Sequence, residues 1–240
     1  MHIIRRSLAL IGLLALAACG DMRAEDIPTN AEGEPVSPET IAMYAEVQDG
    51  DILVPAIPVD YLSEAKKRQV VDYPTAERPG TIIVDPYARY LYHVMEGGKA
   101  MRYAVAVGEA GYGFSGSATM AYTRDWPGWT PTQNMLRTQP EKFAQYAAGV
   151  EGGLENPLGA RALYLYRNGE DTYYRIHGTP SPWTIGHQAS SGCIRMFNQD
   201  VMHLAARVAN GTRVRVLTQA ESGPPPPTPT PTPDPIPTGT

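Results

Sequence analysis

From Pro79 onward the chain is cut into short runs of β-branched and aromatic residues separated by turn signals, and this pattern constrains the fold more than any other feature. Residues 80–85 (Gly-Thr-Ile-Ile-Val-Asp), 89–95 and 101–107 are divided by Asp85-Pro86 and Gly97-Gly98. They read as a meander of antiparallel strands. Residues 119–124 and 162–166 read as further strands, and 172–177 brings His177 to a strand end. Residues 139–148 predict a short surface helix opened by Pro140 and Glu141 and stopped at Gly149. Residues 201–208 predict another, capped by Asn198 or Asp200 and closed near Asn210-Gly211, before a last strand over 212–217. The expected fold is mainly β with a few short helices.

With 240 residues, 42% hydrophobic and 19% charged, the chain suffices for one core, so one domain is expected. Residues 19–56 are rich in Pro, Glu, Asp and small residues without lasting periodicity. They read as a flexible tether, with room for a short helix over 38–47. Residues 57–78 read as a lead-in with another short helix over 61–68, residues 79–218 as the domain itself, and 219–240 as a Pro-rich disordered tail. Beyond residue 223 the repeated prolines can join neither sheet nor helix, which leaves an extended arm. A formal net charge of -5 and no Lys/Arg stripe argue against nucleic acid as a partner. No heptad or exposed-strand pattern argues for an oligomer, so a monomer is the default.

At the N-terminus Arg5 and Arg6 precede an apolar run over 7–18 that is too short to span a bilayer comfortably and fits a signal peptide over 1–18. Leu16-Ala17-Ala18-Cys19 resembles the lipobox of bacterial lipoproteins. The resemblance implies that Cys19 is acylated and becomes the mature N-terminus, tied to the membrane by several acyl chains. Gly20 follows it, and Asp21 stands one place later than the Asp that often retains such proteins in the inner membrane. The implied location is the periplasmic side of the bacterial cell envelope, at the outer rather than the inner membrane. The chain has two cysteines, so an acylated Cys19 leaves Cys193 without a disulfide partner. An unpaired thiol in an oxidising compartment is a liability unless it is buried or used.

The densest chemistry lies between His177 and Met196. A histidine at a strand end precedes Cys193, which follows Ser-Gly and stands shortly before a helix. A thiolate needs an imidazole or amide donors nearby to lower its pKa, and a helix start supplies such donors. Gly192 lets the amides of Gly192 and Cys193 approach an oxyanion as a tetrahedral intermediate forms. The pair can act as nucleophile and base in acyl transfer.

His177-Gly178-Thr179, Ile185-Gly186, Ser190-Ser191-Gly192-Cys193-Ile194-Arg195-Met196 and then Asp200 follow one another in an order that resembles the L,D-transpeptidase catalytic domain, the YkuD-like (ErfK/YbiS/YcfS/YnhG) group. The likeness runs from about Pro79 to Leu217 and includes residues 79–85, 156–159 and 211–214. It implies a β-sandwich-like domain and no cofactor. It also implies a substrate, the peptidoglycan stem peptide. Cys193 would attack the carbonyl at the L-centre of the third residue, usually meso-diaminopimelate, and expel the terminal D-alanine. His177 would take the thiol proton and later help the incoming amine lose its own. The carbonyl that orients the imidazole would fall on Gly178, Ser190 would brace the cysteine turn, and Arg195, Ser191 and Thr179 would contact substrate. Family members often carry a histidine directly before Gly-Cys, where this chain has Ser191, a departure that bears on substrate contacts more than on activity.

Plainer accounts stand beside these. Cys193 could be a buried inert thiol, and His187 and His203 read as structural or solvated. A zinc site from His177, His187, Cys193 and Asp200 lacks any short ligand pair, so no metal is expected. Trp126, Trp129 and Trp183 read equally as groove or core. The acyl acceptor stays open between a diaminopimelate amine, a lysine of an envelope protein and water. A non-catalytic wall-binding lipoprotein is the alternative from another class, and it predicts an unreactive Cys193.

Overall fold

The computed structural model describes residues 27–108, 113–189 and 194–223. Chain order begins with a one-turn-and-a-half helix α1 (Pro38–Met43), capped by the Ser37 hydroxyl accepting from the Thr40 N–H. A hairpin follows, β1 (Val47–Asp49) with β2 (Ile52–Val54). The main sheet then collects β3 (Gln69–Asp72), β4 (Ile82–Asp85), β5 (Tyr90–Val94), β6 (Lys99–Ala104), β7 (Ala106–Gly108) and β8 (Gly116–Asp125). After β8 come two short helices, α2 (Gln133–Thr138) and α3 (Pro140–Phe143), before β9 (Arg161–Arg167) and β10 (Glu170–His177). β11 (Gln188–Ala189), β12 (Ile194–Arg195), α4 (Asn198–Ala205) and β13 (Thr212–Val216) complete the order. The fold is mainly β with a few short helices.

Among the described residues eleven strands form one mixed sheet in the order β11-β7-β12-β10-β9-β8-β13-β4-β5-β6-β3. The expected antiparallel meander is present as β4-β5-β6. Residues 101–107, read as one strand, instead divide at Val105 into β6 and β7, which pair near opposite ends of the strand order. Leu91 and Tyr103 from one end share a buried cluster with Val107 and Ile194 from the other. The sheet must therefore fold over on itself, with the β6–β7 bend as one corner where the chain passes between layers. Val201 and Leu204 of α4 pack into the same core.

The tether expected over 19–56 is corrected where the structure describes it, and residues 19–26 lie outside the described residues. Val36, Tyr44 and Leu62 are buried in a second cluster with Ala104, Ala106, Ile185 and Phe197. A handful of isolated apolar residues suffices for this, since each fully buried side chain contributes about 1.5–3 kcal/mol. The helix expected at 38–47 is α1, but in place of the one expected at 61–68 the chain ends a 3-10 turn at Val59–Tyr61 and runs through further turns before β3. Within residues 57–78, Gln69–Asp72 joins the sheet as β3 beside β6. At the other end Ser222 donates from its hydroxyl to Asp85, 2.8 Å away, so the chain is still docked at residue 222. Residues 224–240, with the prolines, lie outside the described residues.

Candidate active site

His177 ends β10, between Ala162 of β9 and Arg195 of β12 in the sheet register. Its main-chain carbonyl accepts from the Met196 N–H at 2.8 Å, so the residues just past the cysteine motif are bonded to the histidine itself. The imidazole is 4% exposed and contacts the Gly178 carbonyl from Nδ1 at 2.6 Å. A carbonyl can only accept, so Nδ1 carries the hydrogen and Nε2 keeps its lone pair. Burial, and then the Arg195 guanidinium, lower the His177 pKa to about 4, with the Gly178 hydrogen bond offsetting only part of this. At neutral pH the ring is an uncharged base with one fixed tautomer.

Two glycines let the neighbouring strands close around it. A Cβ on Gly178 would collide with Asn198 Oδ1, and a Cβ on Gly159, whose φ is +60°, would meet the same oxygen and the Thr179 N–H. Into that space Asn198 Oδ1 accepts from Ala160 N at 3.0 Å and Thr179 N at 3.1 Å. The expected capping role for Asn198 or Asp200 is corrected here: α4 is entered from Phe197 with no side-chain cap, because both polar side chains serve distant parts of the chain. Asp200 is completely buried, accepting from Arg68 Nη1 at 3.0 Å and from the Tyr44 hydroxyl at 3.1 Å. Burial raises its pKa to about 6, with Arg68 opposing the rise.

His177 opens into a cleft of about 910 Å³ that Arg195 and Thr179 also line. This is the upper part of the usual range for small-molecule sites. Another wall comes from residues 128–158, where Trp129 stands 6.1 Å from Phe143 and 5.9 Å from Tyr146, centroid to centroid. Trp183 lies at the cleft, 54% exposed, so two of the three tryptophans face the groove. Trp126 does not, and its indole N–H is instead bonded to Asp49. Tyr173, also lining the cleft, is 73% exposed with a φ of 60° at a bulge between Asp171 and Arg175. Arg175 is held by both oxygens of Asp171 at 2.7 Å, and Glu155 is the one carboxylate among the described lining residues.

The predicted site residues separate clearly. His177, Thr179 and Arg195 line the cleft and Gly178 holds the imidazole from behind, although the Thr179 hydroxyl accepts from Ser181 N and is largely buried. Ser190, Ser191, Gly192, Cys193 and Cys19 lie outside the described residues. His203 packs away from the cleft with Nδ1 2.8 Å from the Tyr103 hydroxyl, and His187 is exposed. Among the described residues no three His, Cys, Asp or Glu side chains gather to hold a metal ion. Sequence reasoning missed Asn198 as a strand staple and missed Asp49, Arg68 and Tyr44 altogether. Asp200 alone carried a signal, as the last element of the motif.

The folded-over mixed sheet thus places a buried histidine, bonded to the Gly178 carbonyl, against a cleft lined by aromatic side chains. The family model for the L,D-transpeptidase catalytic domain (YkuD) matches residues 79–216, and the chain belongs to that family. It is 31% identical over 148 residues to the Escherichia coli K12 protein named "Probable L,D-transpeptidase ErfK/SrfK", covering 61% of this chain and 46% of that protein. It is 33% identical to "Probable L,D-transpeptidase YcfS" of the same organism, covering 60% and 45%. These matches thus span less than half the length of either relative. A crystal structure described as a probable carnitine operon oxidoreductase from Brucella melitensis is 48% identical, covering 63% of this chain and 93% of its own, with a TM-score of 0.45. At that TM-score the superposition carries no weight for fold or activity.

Proposed function

We propose that this protein is a peptidoglycan L,D-transpeptidase with Cys193 as nucleophile and His177 as base. The observation that carries this reading is the fixed, uncharged His177 at the cleft floor, with Nδ1 committed to Gly178 and Nε2 left to accept a proton. Chain connectivity adds to it: Cys193 directly precedes Ile194 in sequence, and Ile194 pairs with Ile176, the residue before the histidine. Because burial and Arg195 disfavour an imidazolium, His177 takes the thiol proton as attack proceeds rather than holding a standing ion pair.

In the proposed sequence, the Cys193 sulfur bonds to the carbonyl carbon at the L-centre of the third stem residue as its proton passes to His177 Nε2. The carbon–nitrogen bond to D-alanine then breaks, and His177 returns the proton to the departing amine. In the second half an amine attacks the thioester, loses a proton to His177 and releases the thiolate, which recovers that proton. Glu155 in the cleft lining supports an amine acceptor, since an amine arrives as an ammonium. Ser190, Ser191, Gly192, Thr179 and Arg195 are proposed to support the cysteine turn, the oxyanion and the substrate.

The test is intact-mass spectrometry after incubation with a disaccharide-tetrapeptide, using the wild type and Cys193→Ala. The reading expects a covalent adduct and D-alanine release that both vanish in the variant. A folded protein with reduced thiol and neither signal would favour the non-catalytic wall-binding alternative. Acylation at Cys19 and an outer-membrane, periplasm-facing location remain part of the proposal, carried by Arg5, Arg6 and Leu16-Ala17-Ala18-Cys19. Lipid labelling in the bacterium that persists in Cys19→Ala would remove that part.

A further inference from the structure

The cleft's outer wall leaves the sheet at one point and returns at the same point. β8 ends at Asp125 and β9 begins at Arg161, and those two residues are paired in register and by an ion pair at 2.8 Å. The excursion between them carries Trp129, Phe143 and Tyr146. Its own internal ties include the reciprocal hydrogen bonds of Trp129 and Val150, 2.8 and 2.7 Å. At its base stands a residue from far away in sequence. Asp49, at the end of β1, accepts from Arg161 Nη1 at 2.6 Å and Nη2 at 2.8 Å, and from the Trp126 indole N–H at 2.8 Å.

One carboxylate therefore bonds Trp126, the first residue after β8, and Arg161, the first residue of β9, at the two ends of the excursion. Trp126 needs the hold, because its φ of 42° is a left-handed backbone value that non-glycine residues adopt at a cost. Its carbonyl also occupies the space where a Cβ on Gly152 would lie, so the returning wall is packed on the same residue. The Asp49–Arg161 pair is largely sheltered, with side chains 19% and 13% exposed, and its bidentate geometry is of the strong kind. The β1–β2 hairpin lies outside the stretch that matches the family, 79–216.

We infer that Asp49 is a positioning residue, through which the N-terminal hairpin clasps the outer wall of the cleft and sets the shape that receives substrate. Its effect on turnover rests on the function proposed above, whereas the clasp itself does not. Acting on the wall and not on His177, it governs substrate binding more than chemistry.

The experiment uses the full chain with Asp49→Ala and the milder Asp49→Asn, which keeps one acceptor oxygen should the alanine variant fail to fold. Hydrogen exchange by mass spectrometry is expected to speed up in residues 127–159 and to leave β8 and β9 unchanged. With a tetrapeptide substrate, KM is expected to rise about tenfold with kcat within about twofold, and alkylation of Cys193 by iodoacetamide to keep its rate. Exchange that is unchanged in 127–159, or that rises evenly through the domain, overturns the inference. A KM that stays at the wild-type value does the same. Faster exchange confined to 127–159 in a protein whose wild type shows no turnover upholds the clasp and removes the transpeptidase reading instead.

Discussion

Asn198 and Gly178 fit together because Gly178 has no side chain: the Asn198 amide oxygen occupies the place where a Cβ on Gly178 would sit. That oxygen satisfies the main-chain N–H groups of Ala160, just before β9, and Thr179, just past the histidine strand β10. Asn198→Ala leaves both N–H groups buried without an acceptor, at a cost of about 2–4 kcal/mol. The measure is the urea midpoint at constant m-value. Gly178→Ala should do similar damage by displacing Asn198, and a midpoint equal to wild type in both variants would contradict this account.

In the proposed reaction the His177 pKa of about 4 sets the acid side of activity. The base is uncharged throughout the neutral range, so kcat should hold steady from pH 7 down to about 5 and fall only near 4, well under the ordinary imidazole value of about 6.5. His177→Gln should lower kcat by about 10²–10⁴-fold. A pH–rate profile with its acid limb at 6 to 7 would show that the ring is not held neutral.

Asp200 gives stability an unusual pH dependence. It keeps its proton up to about pH 6 when folded, against about 3.9 when unfolded. The folded state thus binds more protons in that window, and this contribution falls as pH rises through it. His177 and His203, both lowered to about 4 by burial first, act oppositely: their contribution is lost as pH falls from about 6.5 toward 4. Asp200→Asn removes only the carboxylate's share. Its stability should climb with pH between 4 and 6 more steeply than wild type, by up to about 1.4 kcal/mol per pH unit. Equal slopes from denaturation series at pH 4.5, 5 and 6 would refute the assignment.

Glu155→Gln separates the two halves of the proposed reaction. Formation of the acyl-enzyme should be unaffected, while KM for a cationic amine acceptor rises about two- to fivefold, the scale of an exposed charge pair. The share of hydrolysed product should rise with it. Muropeptide product ratios read this directly, and an unchanged ratio would exclude Glu155 from acceptor binding.

Much of the strand framework was visible in local patterning, because β-branched runs between turn residues need no distant information. Tyr90 and Tyr92 of β5 and Tyr103 of β6 lie within two of those runs. The surface helix over 139–148 was half visible. Gln139 has φ -140° and ψ 56°, since a residue before proline avoids the helical region, and this separates α2 from α3. The ordered N-terminal segment was hidden because Val36 and Tyr44 are buried singly, without the period that marks an element. Of the site, His177 and Gly178 were legible as a motif. Asn198 was read as a cap because its real partners stand 38 and 19 residues away, a relation that no local spacing encodes.

β13 lies parallel to β4, with Val214 beside Ile82, and it also pairs with β8. A strand made last therefore joins the middle of the sheet, and the ladder between β8 and β4 is not bridged until it arrives. Such distant pairing makes folding slow and leaves strand edges open meanwhile. During synthesis the sheet can close only after residue 216 has emerged, so a chain cut short anywhere before that point is expected to be a substrate for proteases rather than a smaller enzyme.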